Sequence, residues 1–193
     1  MLRASSVLHR RRQGGVTMLE VLVSIVILVF GLLGLAALQS KIQLAETESY
    51  QRAQAILLLG DMVDRMNNNK PTADSYVTAA PVGTGDGQPA NCTQPMGVAR
   101  DLCEWSNALK GASEQKAATN AGAMIGARGC IEQRQIPIPT PGICQPGIYR
   151  VTVTWQGLNP TTAPALTCAQ GLYGDARLQR AISAPVIVSL LGC

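Results

Sequence analysis

The sequence predicts an α+β fold, in which a long N-terminal helix packs on a small antiparallel sheet. An apolar run over residues 16–38 continues without a break into an amphipathic helical pattern that ends near residue 68. Segments with strand patterning occur only in the C-terminal third of the 193 residues. This order is typical of one small domain that carries a helical appendage.

The excess positive charge lies entirely in the first 15 residues. This arm holds four of the 16 Lys and Arg residues and no acidic residue, so the remainder balances 12 basic against 12 acidic side chains. A basic arm directly before an apolar run is a membrane-topology signal, and we expect the arm to stay in the cytoplasm. The neutral remainder offers no general attraction to phosphates, so no direct nucleic-acid partner is predicted.

The apolar run is long enough to cross a membrane. It has three polar residues, Thr17, Glu20 and Ser24, whereas about 20 helical residues span a bilayer. A secretory signal peptide is one alternative, with a weak cleavage site at residues 34–36, but its apolar stretch is usually 7–15 residues long. A plain signal anchor is another, and it leaves Glu20 unexplained because a carboxylate in the membrane costs roughly 2.5–3.5 kcal/mol.

The start of the run distinguishes these alternatives. It reads Gly14-Gly15-Val16-Thr17-Met18-Leu19-Glu20-Val21. Residues 10–38 combine a basic leader, a glycine, a four-residue spacer, a glutamate and an apolar helix, and this order resembles the class III signal of type IV pilins. The resemblance implies that prepilin peptidase cuts after Gly15 and methylates Val16. Most major pilins have Phe at that first mature position, so Val16 favours a minor pilin.

The resemblance also implies an assembly role for Glu20, the fifth residue of the mature chain. Cleavage frees an α-amine at Val16, which is largely cationic at neutral pH. In a bundle of packed helices, the Glu20 carboxylate of one subunit can meet the Val16 amine of a neighbour. That pairing would offset the burial of both charges and set the axial register.

Residues 39–69 continue the helix with an amphipathic pattern, and we expect this half to pack on a small domain formed by residues 70–193. Three asparagines followed by Pro71 end the helix. The stripe of small and apolar residues consists of Ile42, Ala45, Ser49, Ala53, Ile56, Gly60 and Val63, thickened by Leu59, Met62 and Met66. The predicted organisation is therefore a leader (1–15), a membrane half (16–38), an amphipathic half (39–69) and a globular region (70–193).

The globular region begins with Pro- and Gly-rich residues 70–99, which predict a long irregular loop. Residues 101–112 predict a short helix, with Trp105 as a core anchor. Strands follow at residues 148–155, where Tyr149, Val151, Val153 and Trp155 share one face, at residues 182–191, and more weakly at residues 130–136. Pro185 indicates that the 182–191 strand lies at an edge or that the strand starts there.

Six cysteines follow the apolar run and none precedes it. An even number on one side of a membrane segment favours disulfides in an oxidising compartment over buried free thiols. No pair has the C-x-x-C spacing of a zinc or thioredoxin-type site. Proximity in sequence favours the pairs Cys92–Cys103, Cys130–Cys144 and Cys168–Cys193. Pilins often close their C-terminal loop with a disulfide, and Cys168 and Cys193 are placed to do so.

The sequence predicts no enzyme, no metal site and no cofactor. The only histidine, His9, lies in the basic arm, which argues against Ser-His-Asp and Cys-His catalysis and His-ligated metals in the remainder. A periplasmic enzyme on a membrane anchor is therefore disfavoured. No catalytic residue is assigned.

Three segments resemble PilV-type minor pilins: residues 24–39, 101–105 and 153–156. The resemblance implies a low-abundance subunit that primes pilus assembly at or near the tip and supports adhesion and twitching motility. Implied partners are prepilin peptidase, other minor pilins, the major pilin, the inner-membrane assembly platform and, before assembly, lipid. We expect a single-pass inner-membrane protein with a cytoplasmic N terminus, later found in the surface filament. A type II secretion pseudopilin, or a pilin-anchored tip adhesin or DNA-uptake subunit, remains the alternative.

Overall fold

The computed structural model describes residues 14–112, 115–116, 119–120, 124–140 and 142–190. It divides into two compact units, Met1–Gln43 and Leu44–Cys193. One helix, α1 (Met18–Asn68, 51 residues), contributes to both units and confirms the predicted long N-terminal helix. Every described residue of the first unit is exposed. By length and composition, α1 is the one helix in the described part that qualifies as a membrane span.

In the second unit, one face of α1 packs on the domain core. Its buried residues, at four- and three-residue steps, are Gln51, Ala55, Leu59, Met62 and Met66. Most of the stripe that the sequence indicated does not take part. Ala45, Ser49, Ala53 and Ile56 are exposed, so the predicted packing face of the helix is wrong for these residues.

Between α1 and the sheet, the chain is more regular than the predicted loop. A 3-10 helix (Lys70–Tyr76) and a two-residue strand, β1 (Val82–Gly83), precede helix α2 (Val98–Leu109). Helix α2 confirms the short predicted helix, displaced three residues towards the N terminus. Trp105 is fully buried, as predicted, and its indole Nε1 donates a hydrogen bond to the Leu58 carbonyl oxygen at 2.8 Å.

The main sheet is antiparallel, and its long strands are β4 (Ile125–Gln135), β5 (Gly147–Gln156) and β6 (Gln179–Val188), which confirm all three predicted strands with shifted ends. The strand order is β1-β4-β5-β6. Pro185 lies in β6 at the sheet edge, as its ring requires. A separate hairpin of β2 (Gln115–Lys116) and β3 (Thr119–Asn120) was not predicted.

Both faces of β5 are buried. Tyr149, Val151, Val153 and Trp155 belong to the core cluster that contains the buried α1 residues, as the alternation predicted. Thr152 and Thr154 on the opposite face are buried as well. A segment around Tyr173 covers them, because the Tyr173 and Thr154 hydroxyl oxygens lie 2.8 Å apart.

A disulfide holds that covering segment to the sheet. Cys130 of β4 is bonded to Cys168, so the predicted pairs Cys130–Cys144 and Cys168–Cys193 are wrong. Proximity in sequence predicted the wrong pairs because the segment folds back across the sheet and brings together residues 38 positions apart. The predicted pair Cys92–Cys103 is present. Cys144 is disulfide-bonded, and Cys193 lies outside the described residues.

Candidate processing and assembly site

The expected cleavage point lies in an exposed, non-helical segment ahead of α1. Gly14 to Thr17 carry no regular secondary structure and are all exposed. A Cβ atom added at Gly14 or Gly15 would have no neighbour within 4 Å. The backbone around the Gly15–Val16 bond is therefore open to close approach by another protein.

Thr17 fixes where the helix begins. Its Oγ1 accepts a hydrogen bond from the Glu20 backbone N–H at 3.3 Å, and its carbonyl oxygen accepts one from the same N–H at 3.0 Å. Thr17 thus occupies the N-cap position, two residues after the expected cut. The Thr-x-x-Glu spacing of a capping box is present in the sequence and is the signal that identifies Thr17, to which no role was assigned from the sequence.

Glu20 lies in the first turn of α1, where a negative charge interacts favourably with the helix dipole. Its backbone carbonyl accepts a hydrogen bond from the Ser24 hydroxyl at 2.7 Å. Its carboxylate makes no hydrogen bond or ion pair with any residue that the structure describes. The side chain is exposed and open to a partner from another chain.

A second exposed feature lies on α1 within the second unit. We call it the outer stripe, and its residues, spaced three and four apart, are the exposed Ala53, Ile56 and Leu57 and the half-buried Gly60. Ile56 and Leu57 are 53% and 66% exposed. A Cβ at Gly60 would meet nothing within 4 Å, so packing within the chain does not require a glycine there. The outer stripe is an apolar helix face with no cover in the described chain.

A cluster of charged groups joins α1 to α2. The Arg65 guanidinium lies 3.1, 3.0 and 2.8 Å from carboxylate oxygens of Asp61, Asp101 and Glu104, and the Tyr76 hydroxyl donates to Asp101. Burial, helped by the bond to Asp101, raises the pKa of Tyr76 to about 12. Every member is engaged by an opposite or hydrogen-bonding group, so the cluster is a structural connection between the helices.

Hydrogen bonds set the protonation of this cluster. Those from Arg100 and Arg65 lower the pKa of Glu104 below its ordinary value. Burial by itself lowers the pKa of Arg65, but bonds to Glu104, Asp61 and Asp101 outweigh it and raise that pKa. Among the described residues, no group of three or more His, Cys, Asp or Glu side chains is arranged to hold a metal ion.

Comparison with known proteins identifies the N-terminal segment. The family model described as the prokaryotic N-terminal methylation motif matches residues 10–36. No curated protein and no solved structure matches the chain. The motif implies processing by prepilin peptidase and assembly with pilus components, and with the α+β layout it suggests a structural subunit rather than an enzyme. The chain thus carries the processing signal and the fold plan of a membrane-anchored type IV pilin or pseudopilin.

Proposed function

We propose that this protein is a minor pilin of a type IV pilus, of the PilV type, that primes filament assembly at or near the tip and supports adhesion and twitching motility. The observation that carries the proposal is the prepilin signal, exposed and non-helical at Gly15–Val16, directly ahead of a 51-residue helix with Glu20 in its first turn. Val16, in place of the Phe of most major pilins, supports the minor role.

The local structure supports cleavage at this bond. A protease requires an accessible backbone, and Gly15 and Val16 lie before the first helical residue, Met18. The N-cap Thr17 lies on the mature side of the cut. Processing therefore removes the basic leader and leaves the helix start and the membrane segment intact.

Two surfaces support assembly into a filament. The Glu20 carboxylate, without a partner in the described chain, is placed to pair with the methylated Val16 amine of a neighbouring subunit. The outer stripe offers an apolar helix face, and Gly60 lets another helix backbone approach closely. The neighbours in this proposal are other minor pilins and the major pilin, delivered through the inner-membrane assembly platform.

The proposed path starts in the inner membrane, with the basic arm in the cytoplasm and lipid around residues 16–38. Assembly then moves the subunit into the surface filament. A type II secretion pseudopilin shares the same anchor and processing. A deletion strain separates the two, because loss of surface pili and twitching supports the pilus, whereas loss of protein secretion alone supports the pseudopilus.

Mass spectrometry of the N terminus tests the class directly. In cells with prepilin peptidase we expect a mature chain that begins at methylated Val16, and in cells without it an uncut leader. A chain that begins at Ala37 in both strains would identify a secretory signal peptide and refute the proposal.

Replacement of Glu20 tests the assembly step. We expect Glu20→Ala to be cut normally, because the substitution lies beyond the scissile bond. The amount of the variant in sheared filaments should fall, because the Val16 amine of a neighbour loses its carboxylate. Wild-type incorporation of the variant would remove Glu20 from the proposed interface.

A further inference from the structure

A groove with excess positive charge lies beside α1 in the second unit and encloses about 320 Å³. We call it the basic groove. Its lining residues are Ala45, Glu48, Ser49, Arg52, Trp155 and Arg180. It contains two guanidinium groups and one carboxylate, so its net charge favours an anionic occupant.

Arg180 forms a fixed wall of the basic groove. Its guanidinium lies 3.2 Å from a Glu48 carboxylate oxygen, and it donates to the carbonyl oxygens of Asn159 and, at 3.0 Å, Arg177. The backbone of Gly157 packs directly against it, since a Cβ there would lie 2.5 Å from the guanidinium carbon. The orientation of this cation is therefore set before any ligand arrives.

The carboxylate of the groove is already engaged. One oxygen of Glu48 accepts hydrogen bonds from the backbone N–H groups of Leu158 at 3.1 Å and Asn159 at 3.2 Å, in addition to that from Arg180. Arg52, by contrast, is exposed and has neither a hydrogen bond nor an ion pair with the described residues. Arg52 is thus the cation that remains available to another molecule.

We propose that the basic groove receives an acidic side chain from a neighbouring filament subunit, with Arg52 as its principal partner. The inference rests on the proposed function, because it requires a filament. Arg52 and Ile56 lie one turn apart on the same face of α1, so the groove adjoins the outer stripe. A helix that covered the outer stripe would bring its own side chains to Arg52. Because Arg52 is positively charged, the side chain of that helix that reaches the groove would be acidic.

A lipid phosphate fits the position less well. The unit that holds the groove begins at Leu44. Even if the bilayer core reached that residue, Arg52 would lie eight residues further along α1, which is about 12 Å at 1.5 Å per residue. The headgroup layer of one leaflet is only about 5–8 Å deep. The predicted membrane segment ends earlier still, at Leu38, so a protein carboxylate is the favoured occupant.

Charge reversal at Arg52 tests the proposal in cells that assemble the filament. We expect Arg52→Glu to lower the amount of the chain in sheared filaments at least fivefold and Arg52→Gln to lower it less, because the neutral amide removes the attraction without adding repulsion. Arg134→Glu is the matched control, since the Arg134 side chain is 56% exposed on β4, away from the groove, and it should assemble normally. Intact disulfides and unchanged protease resistance establish that each variant is folded.

The pairing itself is tested by compensation. Single Asp→Lys and Glu→Lys changes in the other subunits of the same filament are combined with Arg52→Glu, and restored incorporation identifies the partner carboxylate. Failure of every such change to restore incorporation would overturn the pairing.

The remaining outcomes are also decisive. If Arg52→Glu assembles like wild type but no longer binds vesicles that contain phosphatidylglycerol, the groove is a lipid site and the proposal is wrong. If Arg52→Glu assembles like wild type and binds such vesicles normally, the groove has no anionic partner. If even the wild-type chain is absent from sheared filaments, the proposed function fails first.

Discussion

At the residue scale, Gln51 is one of four described residues whose buried side-chain polar atoms lack a hydrogen-bond partner. It is fully buried on the packed face of α1, and neither its amide nitrogen nor its amide oxygen has a hydrogen-bond partner among the described residues. An unsatisfied buried amide costs about 1–3 kcal/mol, because it gives up water without replacement. The second unit is therefore less stable than it would be with an apolar side chain of similar volume at this position.

We expect Gln51→Met to stabilise the protein by about 1 kcal/mol or more, since methionine has a similar volume and no polar group to desolvate. Urea unfolding of the full chain in detergent measures the change. Gln54→Met is the control, because Gln54 donates to the Tyr50 hydroxyl at an exposed site and should change stability little. A destabilised Gln51→Met would mean that the amide is satisfied in solution.

The sequence predicted single buried residues where burial follows from local pattern. Tyr149 and Val151 were assigned to the core by alternation, and Trp105 by its size, and all three are buried. Thr152 and Thr154 could not be assigned in the same way. They are buried because the segment around Tyr173 crosses the sheet. The alternating pattern of β5 does not predict that a segment distant in sequence covers this face.

At the element scale, α1 shows the limit of periodicity. Two apolar stripes with helical spacing run along the same residues, one through Ala55 and Leu59 and the other through Ala53 and Ile56. Periodicity shows that a helix has an apolar face, but it does not show which of two faces meets the domain. That choice depends on Trp105 and the sheet, whose positions come from contacts distant in sequence.

The contact between α1 and α2 should make stability depend on pH. The folded-state pKa of Glu104 is lowered, so its contribution is present above the unfolded-state value near 4.3 and is lost as the pH falls through the folded value. We expect unfolding free energy to drop below about pH 5 and the drop to be shallower in Glu104→Gln. Urea unfolding between pH 3 and 7 measures both, and identical slopes would remove Glu104 from the effect.

The disulfides Cys92–Cys103 and Cys130–Cys168 should contribute differently to the free energy of unfolding. Cys130–Cys168 closes a loop of sequence separation 38 and Cys92–Cys103 one of 11. Loop-closure entropy gives about 3.9 and 2.8 kcal/mol respectively. We expect Cys130→Ala/Cys168→Ala to lose about 1 kcal/mol more than Cys92→Ala/Cys103→Ala, by urea unfolding. Equal losses would mean that the covering segment stays on the sheet without its tether.

At the scale of the whole molecule, the exposed apolar surfaces favour the proposed assembly. The first unit exposes every described residue of an apolar helix, and the second adds the outer stripe. The membrane can cover the first, but the outer stripe lies on the domain that we expect outside it. In the proposed filament both surfaces gain a partner, because helices of neighbouring subunits would pack on them.

Substitution of the outer stripe tests this view of the molecule. We expect Ile56→Ser/Leu57→Ser to change unfolding free energy by less than about 0.5 kcal/mol, because both side chains are already exposed. The same variant should be strongly depleted from sheared filaments while it still reaches the membrane and loses its leader. Met96→Ser is the matched control, since Met96 is 91% exposed on a loop before α2 and should assemble normally. If the double variant unfolds early, the stripe contributes to the domain itself, and if it assembles like wild type, no neighbouring helix packs on it.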